Sequence, residues 1–265
     1  MKRKKKKHLR NLFFVGVGII VASFIYVYIF AAYAVFPFSS RWRAYFGQMD
    51  TPNGYSIFGI DISHHQADID WERLEKSTIG GSSISFIFVK ATEGTTYLDE
   101  NFNENFYQAR RHGFIRGAYH YYLPTLPARD QAEHFLHQVH LEEGDLPPVL
   151  DIEETGGKSA QRLRRDALLW LQTVEKAYGV KPILYTSYKF KTSYLNTEEF
   201  ESYPYWIAHY YVKNLTYEGE WRFWQYSDVG RLDGIREKVD FNIYNGSIYD
   251  LRQLTLRGED EFELE

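Results

Sequence analysis

The chain has 265 residues, of which 44% are hydrophobic and 25% charged, enough apolar material for one large core and too much for global disorder. It contains no cysteine, which excludes thiolate catalysis, iron–sulfur clusters, Cys-ligated zinc and a disulfide framework. Seven basic residues lie within the first ten, and without them 24 basic residues face 35 acidic ones, a net charge of −11 over the rest, the wrong sign for a body that binds nucleic acid.

The basic cluster (Lys2, Arg3, Lys4 to Lys7 and Arg10) is followed by a segment without charge from Asn11 to Ser40. Residues 12–36 are almost wholly apolar and long enough to cross a bilayer as a helix. With seven basic residues before this segment and Arg41 and Arg43 after it, the positive-inside rule places the N-terminus in the cytoplasm and the body outside. A cleaved signal peptide is the alternative, with Ala32-Tyr33-Ala34 as a small-residue cleavage site, but the apolar run exceeds the usual signal core. Residues 1–11 are therefore read as a cytoplasmic segment, 12–36 as an uncleaved anchor and 37–55 as a linker. The folded body spans 56–257. Residues 258–265 carry five acids in eight positions and are expected to fray.

Eight short apolar runs predict strands in the body: 57–62, 84–89, 117–122, 148–152, 183–185, 205–208, 223–226 and 239–243. Helices are expected between the early ones, at 70–77, 101–112, 128–141 and 159–178, with only a short helix at 197–201 later. This β/α alternation, decaying into β, predicts an α/β fold: a parallel TIM-like barrel poor in helices in its final third. Chemistry in such barrels sits at the C-terminal ends of the strands.

One strand end reads Leu150-Asp151-Ile152-Glu153, with two carboxylates at i and i+2 and therefore on one face. Adjacent acids at a barrel mouth repel and raise a pKa, as a general acid at neutral pH requires. On position alone, a pair of rim acids bonded to loop amides remains an equal reading. Asp61 ends the first strand, where a loop-capping role competes, and Asp240 lies on the last. Zinc ligation by His64, His65, His120 or His209 is disfavoured, since neighbours on an extended chain cannot face one site and no His-Glu-x-x-His helix occurs. There is no Gly-x-Ser-x-Gly elbow and no phosphate-binding glycine loop. Tyr119-His120-Tyr121-Tyr122, Tyr185, Tyr205-Trp206, Tyr210-Tyr211 and Trp224-Gln225-Tyr226 all occur at strand ends, a lining that would stack on a sugar, with ordinary barrel filling expected to account for half of these residues. Acids and aromatics at one mouth favour a glycosidase.

The segments Gly59-Ile60-Asp61-Ile62-Ser63-His64-His65-Gln66, Phe88-Val89-Lys90-Ala91-Thr92-Glu93-Gly94, Gly117-Ala118-Tyr119-His120-Tyr121, Leu150-Asp151-Ile152-Glu153, Tyr205-Trp206-Ile207-Ala208, Trp224-Gln225-Tyr226 and Val239-Asp240-Phe241-Asn242 together resemble glycoside hydrolase family 25, the Chalaropsis-type lysozymes. The resemblance covers about residues 58–245. It implies a (β/α)5β3 barrel that cleaves the β-1,4 bond between N-acetylmuramic acid and N-acetylglucosamine in peptidoglycan glycan strands. It further implies Glu153 as the general acid, Asp151 as its partner, Asp61 and Asp240 as further acids of the pocket, and Tyr119, Tyr185, Trp206, Trp224 and Gln225 as substrate contacts. No metal or organic cofactor is implied. The anchor and the lack of wall-binding repeats depart from the family pattern. A non-catalytic peptidoglycan-binding protein using the same cleft is the alternative function.

Overall fold

The structure, a computed structural model, describes the backbone of residues 2–35 and 51–257, with side chains from 13 to 30 in the first stretch. Residues 36–50 of the expected linker and the acidic tail 258–265 lie outside the described residues. The chain divides into two compact units, Met1–Met49 and Asp50–Glu265.

The first unit contains one helix, α1 (Lys2–Val35). Its 18 residues Phe13–Phe30 are apolar enough for a bilayer and none is buried; at 1.5 Å per residue they span about 27 Å, close to a hydrocarbon core.

The second unit is a closed barrel of eight strands: β1 (Ile57–Ile62), β2 (Ser82–Glu93), β3 (Ile115–Tyr121), β4 (Val149–Asp151), β5 (Ile183–Ser187), β6 (Tyr205–Ala208), β7 (Phe223–Leu232) and β8 (Ile235–Tyr244). Neighbours from β1 through β7 pair in parallel. The expectation of a wholly parallel barrel fails at β8, which runs antiparallel to both β7 and β1. Leu232 pairs with Ile235, so only Asp233 and Gly234 connect β7 to β8, far too few for a parallel crossover. Gly234 adopts φ +93°, and a Cβ there would lie 2.4 Å from the Asp70 carbonyl oxygen. An Asp-Gly pair between apolar runs is a hairpin signal.

Helices α2 (Trp71–Leu74), α3 (Phe102–Arg111), α4 (Ala128–Gln138) and α5 (Ala160–Tyr178) follow the early strands. Asp70 and Ser159 cap α2 and α5 by accepting backbone N–H bonds, each satisfying a donor the first turn leaves free. The later connections hold only short helical turns.

Along every strand alternate residues face inward. The barrel interior is aromatic: Phe88 stacks on Trp206 at 4.3 Å, and Phe223 meets the edges of Phe86 and Phe88 at 5.1 Å each. Two inward positions are glycine because these rings occupy the space. A Cβ on Gly59 would lie 2.4 Å from the Phe86 ring, and one on Gly117 2.7 Å from Phe88. Tyr55, read as linker in the sequence, packs its ring 6.0 Å from both Trp221 and Trp224.

Candidate active site

Above this aromatic filling, the next inward residue of each strand is polar or amphipathic. A cavity of about 220 Å³ is lined by Asp61, Asp151, Glu153, Asp240, Tyr119, Tyr185, Trp206 and Gln225, all anticipated from the sequence, together with Ser63, His65, Lys90, Tyr121 and Tyr210. The strand ends carry these groups to one mouth because the inward register is kept from β1 to β8.

Asp61 and Asp240 are direct partners across the antiparallel β1–β8 pair and hydrogen bond to each other. Asp61 Oδ2 also accepts from Asn242 Nδ2 at 2.7 Å and Gln225 Nε2 at 2.8 Å. Burial is the leading cause of a raised pKa in both. The amide donors favour charge on Asp61, whereas the nearby charges of Asp61 and Asp228 disfavour it on Asp240, so of the two Asp240 is the more readily protonated.

Asp151 ends β4, and Glu153 follows two residues later in the same direction. The Ile152 N–H still donates to the Tyr185 carbonyl at 3.1 Å, and Thr186 Oγ1 donates to the Ile152 carbonyl at 2.6 Å, fixing the chain between the two acids. Asp151 is buried and its Oδ1 has no hydrogen-bond partner in the protein. Its carboxyl is pushed well above the usual range, first by burial and then by the charges of Glu153 and Asp61, against the pull of Lys90. Glu153 is open to solvent by surface area, yet the cavity wall desolvates its carboxyl and raises its pKa, while the hydrogen bond from Asp151 lowers it. The sequence-based expectation that Asp151 raises the pKa of Glu153 is therefore corrected: burial leads, and Asp151 is the more strongly shifted member.

Trp206 forms the floor, with Tyr185 edge-on at 4.4 Å, and its Nε1 donates to Asn242 Oδ1 at 2.8 Å. Trp224 does not reach the cavity. Next to inward-facing Gln225, it points to the outer face of the barrel, where its Nε1 donates to the His209 carbonyl at 2.9 Å. His120 is likewise outward, stacked on Trp170 at 5.5 Å and bonded to Thr92 and Gln131, and burial depresses its pKa to about 3. His64 and His65 are not on extended chain: they form a 3₁₀ turn capped by Ser63, with rings 4.0 Å apart, and His64 Nδ1 meets Asp99 at 2.7 Å.

Lys90 lies within one of the family-like segments, yet sequence reasoning does not single it out as a site residue. Its ammonium is held by Glu93 at 2.6 Å and lies 5.1 Å from the Tyr121 ring. A lysine inside the otherwise apolar run 86–91 was the available signal.

The family model for glycosyl hydrolases of family 25 matches residues 60–235. An Escherichia coli K12 protein, "Uncharacterized protein YegX", is 45% identical over 202 residues, covering 76% of this chain and 74% of its own. "Lysozyme M1" of Streptomyces globisporus is 34% identical over 211 residues, 72% of this chain and 68% of its own. Among solved structures, a bacterial lysozyme from Streptomyces coelicolor superposes with TM-score 0.70 at 32% identity, covering 77% of this chain and 98% of that one. A family 25 glycosyl hydrolase from Bacillus anthracis gives TM-score 0.71 at 29% identity, with 78% and 96% covered.

Proposed function

The chain belongs to the glycosyl hydrolases of family 25, and on that premise we propose that it cleaves the β-1,4 bond between N-acetylmuramic acid and N-acetylglucosamine in peptidoglycan, with Glu153 as proton donor. It is a glycoside hydrolase of the lysozyme class, acting on a substrate that lies outside the cytoplasm. The observation that carries the assignment of Glu153 and Asp151 is their placement as a hydrogen-bonded acid pair at the mouth of an aromatic-floored cavity.

Asp151 and Glu153 hold one proton between them. Muramic acid bears a 2-acetamido group, and its N–H is the donor that the unpartnered Asp151 Oδ1 lacks. When that N–H binds, charge on Asp151 is stabilised and the shared proton passes to Glu153. Glu153 then protonates the departing glycosidic oxygen while the acetamido carbonyl oxygen attacks the anomeric carbon, closing an oxazolinium ring. Glu153, now ionised, takes a proton from the water that reopens the ring, giving net retention. Tyr119, Tyr185 and Trp206 provide the apolar face for the sugar.

We further propose residues 1–11 as a cytoplasmic segment, 12–36 as a single-pass anchor, 56–257 as the catalytic domain outside the membrane and 258–265 as an acidic tail.

A gel containing peptidoglycan tests the reading. Clearing by the full-length protein and none by Glu153→Gln is expected, whereas equal clearing by both would remove Glu153 from the chemistry. Product anomers read by NMR immediately after cleavage test the acetamido route, which net inversion would exclude.

A further inference from the structure

Every hydrogen-bonding valence of the Gln225 side chain is occupied by the protein. Its Nε2 donates to Asp61 Oδ2 at 2.8 Å and Asp240 Oδ2 at 3.1 Å, and its Oε1 accepts the phenol protons of Tyr185 at 2.6 Å and Tyr210 at 2.7 Å. An amide has two N–H bonds and two lone pairs, so nothing remains for a sugar. Gln225 lines the cavity, but it must act through its neighbours.

The direction of these bonds is fixed from one end. Indole N–H can only donate, so Trp206 Nε1 sets Asn242 Oδ1 towards itself and Asn242 Nδ2 towards Asp61. Asp61 Oδ2 thus accepts from two amides. Turning Gln225 over would aim its carbonyl at two carboxyl groups, an arrangement that costs far more than the one seen.

We propose that Gln225 is a positioning residue for the reaction, its amide oriented by Tyr185 and Tyr210 so that Asp61 and Asp240 act as one pair carrying a single negative charge into the pocket. Two amide donors hold the charge on Asp61, and Asp240 keeps the proton and donates it to Asp61. Facing this pair are Asp151 at the end of β4 and Glu153 beyond it, Tyr119 on β3, Lys90 on β2, His65 after β1 and Asp228 on β7. With so many acids present, a second full charge on Asp240 would be repelled. One charge suffices to favour the positive anomeric carbon of an oxocarbenium-like transition state. The inference rests on the muramidase reading.

The test is the pH profile of kcat and KM on soluble peptidoglycan oligosaccharides, using full-length protein in detergent. In Gln225→Met, kcat should fall at least tenfold with KM changed less than about threefold. The acidic limb of the kcat profile should move up by about one pH unit, since Asp61 loses a donor to its charged form. Tyr210→Phe removes one of the two orienting phenols and should move the limb in the same direction by less. A raised KM with an unshifted limb would make Gln225 a substrate contact and overturn the proposal. Should Gln225→Met fail to fold, an unshifted limb in Tyr210→Phe overturns it alone. Inactive wild-type protein would sink the hydrolase reading instead. The pair is then judged by infrared titration: because Asp151 and Glu153 also share a proton, the reading is the difference between wild type and Asp240→Asn at neutral pH, where selective loss of one protonated-carboxyl component supports the proposal and an unchanged carboxyl band overturns it.

Discussion

Asp61 at the end of the first barrel strand stands directly opposite Asp240 on the last, in the antiparallel pair that closes the barrel, and the two carboxyl groups share one proton. Their Asn variants should therefore differ. In Asp240→Asn the new amide can still donate to Asp61, as the protonated carboxyl does. At position 61 an amide N–H would oppose the donors of Gln225 and Asn242. Asp61→Asn is expected to lose at least about tenfold in kcat/KM, a barrier increase of about 1.4 kcal/mol, and Asp240→Asn distinctly less. Steady-state kinetics at neutral pH check the order, which a larger loss in Asp240→Asn would reverse.

The same burial has a cost in stability. Asp240 has a higher pKa folded than unfolded, so above the ordinary carboxylate range the unfolded chain binds fewer protons than the native one. Stability then falls as pH rises through that window. Asparagine does not titrate, so the melting temperature of Asp240→Asn relative to wild type should climb by several degrees from pH 5 to pH 8. A constant difference across that range would show that Asp240 is ionised in the native protein.

Gly59 is held by sterics, not by turn geometry. A methyl group there meets both the Phe86 ring and its carbonyl oxygen at about 2.5 Å, and the barrel wall offers no room to yield. Gly59→Ala is expected to cost about 3 kcal/mol and to lower the melting temperature by about 10 °C. A shift under about 2 °C would mean that Phe86 can move aside.

The anchor reading predicts that full-length protein sediments with membranes and that external protease reaches residues beyond 50 in intact spheroplasts. Deleting residues 1–50 should give a soluble, active barrel. A soluble product starting near residues 33–35 in cells would instead mark signal cleavage.

Much of the barrel was legible because parallel strands buried on both faces read as compact apolar runs, and Asp61, next to last in Ile57–Ile62, and Asp151, last in Val149–Asp151, are acids where a core residue is expected. The reversal of β8 is carried by Asp233-Gly234 alone, since an apolar run such as 239–243 has the same composition in either strand direction and only the two-residue connection distinguishes them. Trp224 was misplaced for a different reason: adjacent strand residues face opposite sides, so Trp224 and Gln225 could not both line one cavity. The closed hydrogen-bond set of Gln225 was not readable at all, since it depends on Tyr185, Tyr210, Asp61 and Asp240 meeting from four separate strands and loops.

The most direct test of the central claim is identification of the new reducing ends released from purified peptidoglycan by the full-length protein. N-acetylmuramic acid at the reducing end, released by the wild type and not by Glu153→Gln, is the expected result. Reducing N-acetylglucosamine, or no new reducing ends, would contradict it.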